Sequence, residues 1–325
     1  MMLEPLTVEL LAMVVLALCL DLLLGDPSWL PHPVVGMGRC IARLERAWNQ
    51  GSAETRRRRG IWLAVVVVGG TWTLAWCLLT VLAWISPSLA LAAELALLAT
   101  AFATRGLSEA ARAVADPLRR GDLPAARHAL SRIVGRDTDT LGESGLSRGA
   151  VESVAENTVD GITAPLCWAL LGGAPLALAY KAVNTLDSMV GYRHPRYEAF
   201  GWASARLDDL VNWVPARLTV MAMWLSAWVI GGRTHGAMAA TWHAAPRHPS
   251  PNAGWPEAMV AHLLGVQLGG LNHYAGRLSK RATLGRPLEP LAVGHIERAI
   301  HYMHGGWLGV LVLMAPLVVL REWLT

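Results

Sequence analysis

The strongest constraint on this chain is where its charges are absent. Of 28 basic residues, 26 are Arg, and 22 of the 28 fall in three stretches, 25–60, 104–161 and 232–306. Outside them lie apolar segments with little or no charge, at 6–24, 61–85, 89–104, 162–180, 214–230 and 302–320. A run of roughly 20 mostly apolar residues is long enough to span a bilayer, where the backbone must satisfy its own hydrogen bonds and so becomes helical. The chain is 54% apolar and 16% charged, against about a quarter charged in soluble domains. A soluble enzyme, a disordered chain and a nucleic-acid binder all fit poorly. The expectation is an all-α fold, a polytopic membrane helical bundle forming one integral membrane domain over 1–325, with helical cytoplasmic loops.

Arg-rich loops collect on the cytoplasmic side of a membrane. That places 25–60, 104–161 and 232–306 inside and makes this a multi-pass protein of the cytoplasmic membrane. The segment 162–180 carries Pro165, Gly172-Gly173 and Pro175, which favours a broken or re-entrant helix around a polar cavity. Two ordinary spans with 181–213 outside are the alternative. The N-terminus lacks a basic region and a small-residue cleavage site, so its apolar run is expected to be a retained span. Cys19, Cys40, Cys77 and Cys167 have no CxxC or Cys/His spacing, so neither a disulfide framework nor a zinc site is expected. No strand-like alternation persists and no internal repeat is visible, and a transporter would be expected to show repeated halves.

Four polar patches could carry chemistry. Arg148, Glu152, Glu156 and Asp160 lie four residues apart, one stripe on a helix. The stripe could hold a hard divalent cation through oxygen ligands, or be a solvated face with one Arg–Glu pair. Ahead of it, Arg136-Asp137-Thr138-Asp139 could act on phosphate or metal, or cap a helix. A second patch, 181–194, includes Lys181, Asn184, Asp187 and Arg193, followed by Arg206, Asp208-Asp209 and Arg217. That many ionisable groups beside a span must pair or be used. The third, 243–257, is a Pro- and Gly-shaped loop in which Arg247, Ser250, Asn252 and Gly254 could meet an anion. The fourth is Asp26 with His32, where a lone histidine is more often structural. Glu94, inside an apolar segment, is either a functional carboxylate or a paired one. No P-loop, HExxH or GxSxG is present.

These patches resemble one family. "LLLGDPSWLPHPVVGMGRCIARLE" (22–45), "GRDTDTL" (135–141), "VESVAENTVDGITAPL" (151–166), "YKAVNTLDSMVGYRHPRYEAFGWASARLDDLVNWVPARL" (180–218) and "HPSPNAGWPEAMVAHLLGVQLGG" (248–270) are similar to blocks of the CobD/CbiB cobalamin-biosynthesis membrane proteins, the adenosylcobinamide-phosphate synthases. The resemblance implies a ligase joining adenosylcobyric acid to (R)-1-amino-2-propanol phosphate or a close analogue, with ATP and Mg²⁺ activating the carboxylate. It implies corrinoid, amine phosphate and ATP as ligands, lipid as surroundings, and no zinc, pyridoxal phosphate or nucleic acid. Catalysis is expected from Glu152, Glu156, Asp160 and Asp187, and Mg²⁺ binding from these four with Asp208. Substrate and phosphate contacts are expected from Asp26, His32, Arg136, Asp137, Thr138, Asn157, Lys181, Asn184, Arg193, Arg206, Arg217, Arg247, Ser250 and Asn252. The ligands are cytoplasmic, so the site is expected to face the cytoplasm and to include 181–213. The competing reading is a non-enzymatic corrinoid-binding or AmpE-like signalling membrane protein.

Overall fold

The computed structural model describes residues 4–27, 32–192, 194–274 and 276–324. The chain divides into two compact units, 1–103 with 164–212 and 315–325, and 104–163 with 213–314. Among the described residues, four helices are long and apolar enough to cross a membrane: Ala53–Ile85, Pro87–Arg119, Glu143–Val190 and Gly294–Leu324. They contain the expected segments 61–85, 89–104, 162–180 and 302–320. The segments 6–24 and 214–230 form helices of 17 residues each, at the short end of what a span requires.

The first unit contains α1 (Val8–Leu24), α2 (Pro33–Trp48), α3 (Ala53–Ile85), α4 (Pro87–Ala99), α8 (Ala164–Val190) and α9 (Trp202–Val211). Helix α3 starts well before its apolar stretch. Ser52 accepts from Thr55 N at 3.3 Å, and the arginines that follow are good helix formers. Leu63, Val67 and Leu79 face inward, while Leu74 and Trp84 are 74% and 85% exposed. Large apolar side chains turned outward along a long apolar helix are a lipid-facing surface. Gly60 lies so close to the Phe200 carbonyl that a Cβ would collide with it, which lets α3 meet the turn leading into α9. Helix α2 buries Glu45, which accepts from Arg196 at 3.0 and 3.1 Å.

The expected break in 162–180 is real. Gly172 and Gly173 are non-helical within α8, and Gly173 has φ +60, a backbone region that favours glycine. A Cβ on Gly173 would collide with Glu94, and Ala174 N donates to Glu94 Oε1 at 3.4 Å. Glu94 therefore caps the second half of α8, with Pro175 in the first turn, where proline is tolerated. That half continues as regular helix to Val190, so Lys181, Asn184 and Asp187 lie on a helix.

The second unit contains α5 (Thr104–Arg119), α6 (Leu123–Ser131), α7 (Glu143–Thr158), α10 (Trp213–Val229), α11 (Ala237–Ala244), α12 (Gly254–Leu264) and most of α13 (Gly294–Leu324). Helix α12 is at its centre and buries all its residues except His262. The expectation of no strands is corrected by a short antiparallel hairpin, β1 (Leu271–Tyr274) with β2 (Arg277–Lys280). Asn272 is buried in β1, whereas Leu271 and Leu278 are 55% and 63% exposed. Its polar anchors lie far away in sequence, so no apolar alternation announced it. A π turn at Val159–Thr163 follows α7 and contains Asp160, so the winding changes at the end of the stripe, whereas Arg148, Glu152 and Glu156 all lie on α7.

Candidate functional site

The densest polar cluster lies in the second unit, where segments far apart in sequence converge. Helix α7 presents Arg148, Glu152 and Glu156, and the loop before it presents Arg136. The loop before α12 brings His248, α12 brings Glu257, and the residues around the hairpin bring Gly269, Asn272 and Arg281. The side chains of Arg136, Glu152, His248 and Glu257 are only 4–6% exposed. Buried charges and polar groups at that level require partners.

Glu152 finds both of its partners within the protein. Arg136 Nη2 pairs with Oε2, and Gly269 N donates to Oε1 at 2.7 Å. Arg136 Nη1 donates to Asn272 Oδ1 at 2.8 Å. Arg148 donates to Gly269 O at 2.8 Å, Leu271 O at 3.0 Å and Asn272 Oδ1 at 2.9 Å. Asp137 adds two bonds, its N to His273 O at 2.8 Å and its Oδ2 from Gly276 N at 2.8 Å. Gly269 has φ +76, and a Cβ there would collide with the Ala282 carbonyl. This network fastens the segment carrying Arg281 onto α7, so Glu152, Arg148 and Asp137 are positioning residues.

The reactive groups lie beside that anchor. His248 Nε2 is 3.6 Å from Glu257 Oε1. His248 Nδ1 lies 3.1 Å from Ser250 N and 3.3 Å from Ser250 O, so the loop backbone fixes the orientation of the ring. Burial, then the Glu152 and Glu156 carboxylates, hold Glu257 well above the usual carboxylate range, against the pull of Arg281 and Arg136. Burial also lowers His248, opposed by its backbone bond to Ser250. Burial thus favours the uncharged form of each group, a carboxylic acid beside an imidazole. Glu156 feels the charges of Arg281, Glu152 and Arg136 and retains partial exposure.

The loop that carries His248 is itself clamped. Arg217 Nη1 donates to Asn252 Oδ1 at 2.9 Å, and its guanidinium lies 4.5 Å from the Trp213 ring and 4.6 Å from the Trp255 ring. Ser250 Oγ accepts from Asn252 N at 3.3 Å and from Ala253 N at 3.1 Å. Arg247 is exposed and Thr138 buried. Asn157 donates back to Ser153 O at 2.8 Å. In the first unit, His32 Nδ1 accepts from Val34 N at 3.2 Å and its Nε2 lies 3.3 Å from Asp26, a helix cap. Lys181, Asn184 and Asp187 are partly buried on α8, Asp208 sits on α9, and Arg206 lies 3.7 Å from Asp209 while 69% exposed. Arg193 lies outside the described residues.

The expected site residues omit four members of the cluster: His248 and Glu257, which lie inside the patch 243–257, and Asn272 and Arg281. Glu257 had a signal, being the one acid in an otherwise apolar short helix, GWPEAMVAHLL. Arg281 had none, since a basic hairpin reads as a solvated one.

Comparison with known proteins adds the following. A family model described as "CobD/Cbib protein" matches residues 14–303. The chain is 47% identical over 309 residues to the cobalamin biosynthesis protein CobD of Halalkalibacterium halodurans, covering 93% of this chain and 94% of that one. It is 48% identical over 307 residues to CobD of Geobacter metallireducens, covering 94% and 96%. The cobalamin biosynthesis protein CbiB of Salmonella typhimurium is 43% identical over 316 residues, covering 95% and 98%. No solved structure matches.

Proposed function

The chain belongs to the CobD/CbiB family of cobalamin-biosynthesis proteins, and on that premise we propose that it is an amide-forming ligase, adenosylcobinamide-phosphate synthase, of the cytoplasmic membrane. The propionate carboxylate of adenosylcobyric acid takes a phosphoryl group from ATP, releasing ADP. The amine of (R)-1-amino-2-propanol phosphate or a close analogue then displaces phosphate, forming the amide and losing one proton.

The observation that carries this reading is the buried acid–imidazole–guanidinium cluster assembled by residues of three of the family-like blocks. Such a reaction needs cations to hold phosphate and donors where the tetrahedral oxyanion develops. Arg281 is the guanidinium for phosphate, because Arg136 and Arg148 are spent on the protein. Protonated Glu257, beside the His248 ring, supplies a donor and can return a proton to the leaving phosphate.

Magnesium is a matter of fit. Among the described residues, no three His, Cys, Asp or Glu side chains are arranged to hold a metal ion, and both Glu152 oxygens are taken. Glu156, with its remaining exposure, suits an ion that arrives on nucleotide phosphates and needs one protein carboxylate. Such an ion would neutralise the phosphate oxygens.

The test is amide synthesis by the purified chain from adenosylcobyric acid, aminopropanol phosphate, ATP and Mg²⁺. Adenosylcobinamide phosphate and ADP should appear in equal amounts, and Glu257→Gln should reduce turnover by about 10²-fold or more. Corrinoid binding without product in any amine or nucleotide combination would favour the non-enzymatic alternative.

A further inference from the structure

A second cavity in the same unit, of about 320 Å³, is lined by Arg233, His235, His262 and Arg286 with the start of α11 at Gly236–Ala237. No carboxylate is among its lining residues. Two guanidiniums round one space repel one another unless an anion joins them. Arg233 is held in place, paired with Glu289 and packed on Gly265, where a Cβ would lie 3.2 Å from its Cζ. Arg286 has no acidic partner among the described residues.

Two further features border this space. His262 Nε2 is buried with no hydrogen-bond partner among the described residues, while the Ala240 backbone hydrogen-bonds the ring. Helix α11 begins at Gly236 with φ +69 and no side-chain cap, so its first-turn amides carry a positive partial charge with no side chain to accept from them. Ala240 and Leu288 supply an apolar wall. His262 lies five residues after Glu257 on α12, about 140° round the helix at 3.6 residues per turn. The cavity is therefore on another face of α12 from the acid–imidazole pair.

We propose that this cavity is a separate anion site that takes a phosphate group on a small organic body. Its size is at the lower end of ligand pockets, which start at about 300 Å³. The proposal stands whether or not the ligase reading does. The phosphate could belong to a soluble ester or to a lipid headgroup, and the test separates the two.

The purified full chain is titrated calorimetrically in detergent with glycerol 3-phosphate, and separately reconstituted with phosphatidylcholine vesicles with or without phosphatidic acid. Saturable binding of glycerol 3-phosphate assigns a soluble ester. Preferential retention of phosphatidic acid alone assigns a headgroup. Arg286→Gln and His262→Gln should each weaken whichever binding is seen, the first by about tenfold or more, while Arg132→Gln, an exposed control outside the cavity, should not. If the substituted proteins fail to fold, phenylglyoxal modification of Arg286 in the unaltered chain should slow with the bound probe present. Binding of neither probe, equal loss in the Arg132→Gln control, or an unchanged modification rate overturns the proposal.

Discussion

At the scale of single residues, the site depends on protonation states set by burial. Glu257 has a folded pKa above its unfolded one, so between those values the folded state binds more protons, and stability falls as pH rises through that window. Glu257→Gln mimics the protonated acid. Its unfolding free energy should lose this component, leaving it as stable as the parent at low pH and more stable at high pH, as urea titrations across pH would show. Turnover should nonetheless drop, because an amide cannot pass on a proton. His248 shifts the other way, so its contribution is lost as pH falls below the unfolded value of about 6.5. A parent protein whose stability does not fall as pH rises above the ordinary carboxylate value would remove Glu257 from this role. Arg217→Lys keeps the charge but loses the planar fork stacked between Trp213 and Trp255. It should lower kcat through a loosened His248 loop while leaving the KM for ATP near that of the parent.

At the scale of elements, the break in α8 is a capped joint. Glu94→Ala should cost about 1 kcal/mol, as a lost N-cap does, and Glu94→Gln less, measured by thermal unfolding in detergent. Gly173→Ala should be worse, since a side chain there meets both positive φ and the Glu94 carboxylate. Much of this was legible. Pro165, Gly172-Gly173 and Pro175 marked the break, and the charge-poor runs marked the long helices. What the sequence hid depended on long-range pairing. The hairpin is fixed by Asn272 binding Arg136 and Arg148 over 136 and 124 residues, so nothing local predicts it. The π turn is equally silent, because inserting one residue into a helix leaves composition and spacing looking α-helical. The stripe left Glu152 open between metal ligand and ion-pair partner, and the donors it meets, Arg136 and Gly269 N, lie 16 and 117 residues away.

At the scale of the whole molecule, the chain is a helical membrane protein whose outward surface on α3 is apolar and whose Arg-rich stretches should share one side. Cysteines placed one at a time at Arg58, Arg132 and Arg277, all exposed, should be labelled by a membrane-impermeant maleimide only after the membrane is opened. Labelling of the Arg58 position in intact cells would reverse the topology. The anchoring of Glu152 by Gly269 also has a consequence in time. Their separation is 117 residues, which a ribosome adding about 5–20 residues per second needs roughly 6–23 s to cover. Through that interval the Glu152 side chain exists without its backbone donor, and Arg281 follows later still. Arg136 is already made and can neutralise the charge, so the cluster is completed as one of the last acts of biosynthesis, and a stalled or truncated chain would present Glu152 without its Gly269 donor.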